Sequence, residues 1–194
     1  MSGPLWPFVC LEYAFAEADS LGGDLDEFVD AFVAGDAGES RETLVPQRND
    51  RGERSIALGE QHGDRDAAVR RTGELLAAGG SVDPAYTDEM LAALEQYGPY
   101  IVIAPGVALA LARPSPAVRG VAFSILTRVP PVPFGHPEND PVRLVVGLAA
   151  PDDESHIEAL RQMADLLGDD TRREELIGAR VVDEVLALVE GATG

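Results

Sequence analysis

Residues 98 to 114 read Gly98-Pro-Tyr-Ile-Val-Ile-Ala-Pro-Gly-Val-Ala-Leu-Ala-Leu-Ala-Arg-Pro114, and the fold turns on this stretch. It contains the longest apolar run of the chain, Ile101 to Ala112, interrupted by Pro105 and Gly106. A membrane-spanning helix needs about 20 consecutive apolar residues, so the run belongs to a folded interior. Its beginning, Tyr100 to Ala104, predicts a strand. Just upstream, Asp83-Pro84 supplies an N-cap followed by a proline at the first helical position. The helix they open carries Met90, Leu91, Leu94 and Tyr97 on one face and stops at Gly98.

Working outward, Ser55 to Leu58 reads as a short strand, and the helix after it is capped by Asp64 and ended by Gly79-Gly80. Downstream, Val121 to Thr127 and Val142 to Ala149 are nearly continuous Val- and Ile-rich runs, as expected of strands covered on both faces. Helices follow from about Ser155 to Leu167, Thr171 to Ile177 and Asp183 to Glu190. Helices and strands mixed in this way predict an α/β three-layer sandwich, a mixed central sheet with helices on both faces, over residues 54–194. Residues 1–53 read as a helical, acidic N-terminal extension and linker. Leu25, Phe28, Val29 and Phe32 recur at helical spacing there, and the polar run from Gly35 to Gly52 reads as the linker.

Three further blocks join the opening stretch: Phe134-Gly135-His136-Pro137-Glu138-Asn139-Asp140-Pro141-Val142, Leu148-Ala149-Ala150-Pro151-Asp152 with Ser155-His156-Ile157-Glu158-Ala159-Leu160, and the helix pair within Leu76 to Ala93. In this order the blocks resemble the EIIA domains of the sugar phosphotransferase system, of the ascorbate and mannitol-fructose type. In that family the opening stretch ends approximately Ala-Met-Pro-His-Ala-Arg-Pro. Ala110-Leu111-Ala112 therefore replaces Pro-His-Ala, and Leu111 occupies the position of the phosphoryl-accepting histidine.

The resemblance implies a specific chemistry. An EIIA histidine attacks a carrier's phosphohistidine through an imidazole lone pair, holds the phosphoryl group and passes it to an EIIB domain. Leucine has no lone pair, so no catalytic residue is assigned here. His156 corresponds to the family's second active-site histidine, and with Ser155 it lies in the first turn of a helix, where N–H groups favour an anion. It either lines a surviving anion pocket or is a polar helix-start residue. Arg113 is two residues from Leu111, and its guanidinium suits phosphate or carboxylate unless it is a solvated loop arginine. The binding pocket expected is thus Leu111, Arg113, Ser155 and His156. His136, with Asn139 and Asp140 among prolines, predicts a rigid loop with side-chain caps rather than a metal site, and His62 has no identifiable companion. The pairs Asp152-Asp153 and Asp169-Asp170 read as helix N-terminal charges.

Composition narrows the partners. The formal charge of −19 over 194 residues disfavours nucleic acid and anionic membrane surfaces and suits a basic protein face. No lysine is present, which excludes Schiff-base chemistry and a Walker-type phosphate lysine. Cys10 is the single cysteine, so neither an internal disulfide nor a multi-cysteine metal site can form. No cofactor or metal is expected, and the chain reads as cytoplasmic and soluble. Three functions fit: an EIIA-like binding or regulatory protein facing an EIIB-like, carrier-like or pathway-enzyme partner; an active phosphocarrier in ascorbate-like sugar uptake; or a recruited fold acting on a small molecule, a small anionic ligand among the candidates, or a peptide. A homodimer is compatible with the apolar face of the extension.

Overall fold

The computed structural model describes residues 55–61 and 63–192. The readings made for residues 1–53, Cys10 included, and for His62 lie outside the described residues. One five-stranded sheet organises what is described. Its strands are β1 (Ile56–Glu60), β2 (Val102–Ala104), β3 (Val107–Leu111), β4 (Ala122–Val132) and β5 (Val142–Ala149), in the order β1-β4-β5-β3-β2. β1 runs parallel to β4 and β3 parallel to β5, whereas β4–β5 and β2–β3 are antiparallel. The sheet is therefore mixed, as the sequence implies.

Helices α1 (Arg65–Ala78) and α2 (Ala85–Tyr97) precede β2; α3 (Asp153–Gly168), α4 (Asp170–Gly178) and α5 (Val182–Ala192) follow β5. Their ends follow the local chemistry. The Asp64 carboxylate accepts the N–H of Ala67 at 2.9 Å, Asp152 that of Ser155 at 2.8 Å and Asp169 that of Arg172 at 2.8 Å, each supplying an acceptor to an orphan N–H of a first turn. At α2 the Asp83 carboxylate accepts from Ala85, and Pro84 already has helical angles.

The opening stretch departs from expectation in two ways. Gly98–Ile101 forms a 3-10 turn, so the strand begins at Val102 rather than at Tyr100. The second half of the apolar run is itself a strand, β3, which the sequence reading left unassigned. Ala-Leu-Ala-Leu is a strong helix former by propensity; parallel pairing from Val107 with Leu144 through Leu111 with Leu148 overrides it. Pro105-Gly106 is consequently a reversal between β2 and β3. Gly106 adopts φ +76°, a region unfavourable for other residues, donates its N–H to the Asn139 carbonyl at 2.8 Å and accepts from Arg143 at 2.7 Å.

Side-chain alternation divides the core between the two faces. One face presents Ala108, Ala110, Ala112, Ala122, Val145 and Ala149 to Val69, Leu76, Tyr86, Met90 and Leu94 of α1 and α2. The alternate residues, Leu109, Phe123, Ile125, Leu144, Val146 and Leu148, are buried beneath the C-terminal helices, whose Met163, Leu167, Leu176, Val185 and Val189 are also buried. Small residues on the first face let the helices approach closely. A Cβ on Gly147 would lie 2.5 Å from both Ser124 Oγ and Thr72 Cγ2, and Ser124 donates to the Thr72 carbonyl at 3.0 Å.

Gly147→Ala should therefore destabilise the domain by about 1–3 kcal/mol, the usual cost of overpacking a filled interior. Urea unfolding midpoints with an unchanged denaturant slope would measure it.

Candidate functional site

Because β3 and β5 are parallel, both end at the same edge of the sheet, and Leu111 sits in register with Leu148 as the last residue of its strand. Crevices beyond the carboxyl ends of parallel strands are where open α/β sheets take their ligands. Leu111 alternates with Val107 and Leu109, which places it on the sheet face opposite α1 and α2. It is partly exposed, whereas Leu109 and Leu148 are buried.

The chain leaves β5 at Ala149 and starts α3 after Asp152, which puts His156 in the first turn above the same edge. His156 lies three and seven residues before the buried Ala159 and Met163, hence on the inward stripe of α3, and only 6% of it is exposed. Burial holds the imidazole below its ordinary value of 6.5, with the Asp153 carboxylate pulling the other way. The ring is neutral at pH 7.

Ser155 serves the helix start. Its N–H and its hydroxyl both hydrogen-bond the Asp152 carboxylate, and these bonds hold that carboxylate below its usual range. Asp153 and Glu154 occupy the same turn, so the positive end of the α3 dipole already faces three carboxylates. Arg113 is exposed, two residues past the end of β3. The structure thus gathers Leu111 and His156 at one edge, commits Ser155 to the cap, and leaves Arg113 at the solvent-facing rim.

A residue absent from the sequence reading holds this edge together. The Tyr86 hydroxyl, buried under α2, accepts the Ala112 N–H at 3.0 Å and lies 3.1 Å from the Ala112 carbonyl and 2.9 Å from the Leu148 carbonyl, to which its proton donates. Desolvation raises its pKa, so the hydroxyl stays protonated. One oxygen ties the residue after Leu111 to the strand that leads into His156. The available signal was an aromatic with a polar tip one turn before Met90 on the buried face of α2.

His136 closes its own loop. Its Nδ1 accepts the N–H groups of Glu138 at 3.2 Å and Asn139 at 3.0 Å, and the Asp140 carboxylate accepts from Phe134, Gly135 and His136. Asn139 in turn donates to the Val102 carbonyl at 3.3 Å, bracing the β2–β3 hairpin. These are the side-chain caps expected of the loop. No group of three or more His, Cys, Asp and Glu placed to hold a metal occurs among the described residues. No helix of the described residues is long and apolar enough to cross a membrane.

The model of the phosphoenolpyruvate-dependent sugar phosphotransferase system EIIA 2 family matches residues 52–192. The chain is 36% identical to the ascorbate-specific PTS system EIIA component of Escherichia coli over 138 residues, covering 71% of this chain and 90% of that protein. Identity to the same component of Salmonella typhimurium is 36% over 137 residues, 70% and 89% of the two chains. Among solved structures, enzyme IIAMTL in its complex with phosphorylated enzyme IIBMTL from Escherichia coli matches with a TM-score of 0.63 and 32% identity, covering 71% of this chain and 94% of that one. Crystalline IIA mannitol from the same organism matches with a TM-score of 0.62 and 30% identity over 70% and 95% of the two chains. This chain belongs to the EIIA type 2 family of the sugar phosphotransferase system.

Two measurements probe the site's supports. Tyr86→Phe leaves buried carbonyl and N–H groups of Ala112 and Leu148 short of a partner, and should cost about 1–3 kcal/mol in thermal or urea unfolding. For His156 the folded-state value lies below the unfolded one, so the unfolded chain binds the proton more readily and stability declines as pH drops from about 6.5. His156→Gln should flatten that decline, read as unfolding midpoints between neutral and mildly acidic pH.

Proposed function

We propose that this chain is an EIIA-like protein that docks an EIIB-like or carrier-like domain but accepts no phosphoryl group at the family's usual position. The observation carrying this reading is Leu111 at the carboxyl end of β3, within a stretch that otherwise resembles the family's active segment through Arg113 and Pro114. An aliphatic side chain offers no lone pair for attack on phosphorus. At the same edge it adds apolar surface of the kind that packs against a partner. The relative solved in complex with phosphorylated enzyme IIBMTL supports the choice of partner.

His156 is a poor substitute nucleophile. It is buried on the inward stripe of α3, and a carrier aligned to deliver phosphorus to position 111 would miss it, an error that costs reaction rate steeply. Its retention beside Leu111 is consistent with a site that lost its reacting group and kept the surrounding shape. Residues 54–194 form the docking domain on this reading, residues 1–53 are an appended acidic arm, and the protein works in the cytoplasm.

Incubation with a phosphorylated histidine carrier, followed by assay for acid-labile phosphate, should leave the chain unlabelled; stoichiometric label would overturn the reading in favour of an active phosphocarrier. Leu111→His should gain phosphate under the same conditions. Persistent failure of that variant, with its fold verified by circular dichroism, would point to a pocket recruited for different chemistry.

A further inference from the structure

We propose that the Leu111 edge responds to the phosphorylation state of its partner, engaging an unphosphorylated EIIB-like domain in preference to the phosphorylated form. This preference rests on the docking role proposed above and adds what the docking responds to.

A partner seated to face position 111 brings its own active residue against Leu111. Once phosphorylated, that residue presents about −1.5 to −2 charges at neutral pH. Pressing such a group against an aliphatic side chain strips its water without returning hydrogen bonds. The neighbouring groups do not compensate. His156 is buried on the inward stripe and brings no positive charge to the edge. The first turn of α3, which could have drawn an anion, carries Asp152, Asp153 and Glu154, and the Asp152 carboxylate already takes the Ser155 N–H at 2.8 Å. The exposed carboxylates of Asp152, Asp153 and Glu154 stand at the helix start that follows β5, whose end pairs with Leu111, and repel a phosphoryl group brought to that edge, the more so at low salt. Arg113, exposed at the rim, is the one cation within two residues of Leu111, a single positive charge against the three carboxylates at the start of α3. The same residue without its phosphoryl group carries less charge, meets these penalties to a smaller degree and packs on the leucine. The expected order is the inverse of what an acceptor site needs, and it concerns the same partner class that a relative holds in its phosphorylated state.

Calorimetric titration of the full chain with an ascorbate-class EIIB domain, unphosphorylated and then kept phosphorylated by a regenerating phosphotransfer mixture, tests this. The dissociation constant for the phosphorylated form should be at least tenfold weaker. The double substitution Asp153→Asn with Glu154→Gln should narrow the ratio severalfold. Equal affinity, or tighter binding of the phosphorylated form, overturns the preference while leaving the docking role intact. Binding of neither form removes the docking role and the preference with it. A ratio unmoved by the double substitution overturns the assignment to the acidic first turn.

Discussion

The position of Leu111 relative to His156 depends on one buried oxygen. Tyr86 hangs from α2 and places its hydroxyl where the last residues of β3 and β5 converge, serving the N–H of Ala112 and the carbonyls of Ala112 and Leu148. These groups lie just past or at the ends of the paired segment, where a parallel ladder runs out and backbone polar groups need another partner. In water their exposure would be harmless; under a helix it would not. The edge is therefore built from the α1–α2 side of the sheet although Leu111 faces the other way.

On the proposed reading, that arrangement separates docking from chemistry. The sheet, the α3 cap and the Tyr86 bridge hold an edge whose shape belongs to the EIIA family. What the edge can do depends on the few side chains standing on it. On the proposed reading, an aliphatic residue at the end of β3 removes covalent catalysis and leaves the surface, because the main chain there is positioned by hydrogen bonds that do not involve the side chain of residue 111. At the start of α3, carboxylates hold the place an incoming anion would use.

Local signals in the sequence were read where their physical cause is also local. Asp64, Asp152 and Asp169 cap helices because a short carboxylate reaches the N–H two or three residues ahead, a geometry that needs no tertiary contact. Asp140 and His136 close their loop in the same way. The β3 strand was not legible, since alanine and leucine carry a helical preference and only the neighbouring β5 makes them extended. Tyr86 was missed because its partners are 26 and 62 residues away in sequence.

By itself the sequence determined the family, the mixed α/β class, the helix starts and the identity of the residue at position 111, all of which are written in residue order and short spacings. The tertiary structure decided that Leu111 and His156 share an edge, that His156 is buried, and that Ser155 belongs to a cap. Those outcomes depend on parallel pairing and on burial, and both arise only when distant segments exclude water from one another.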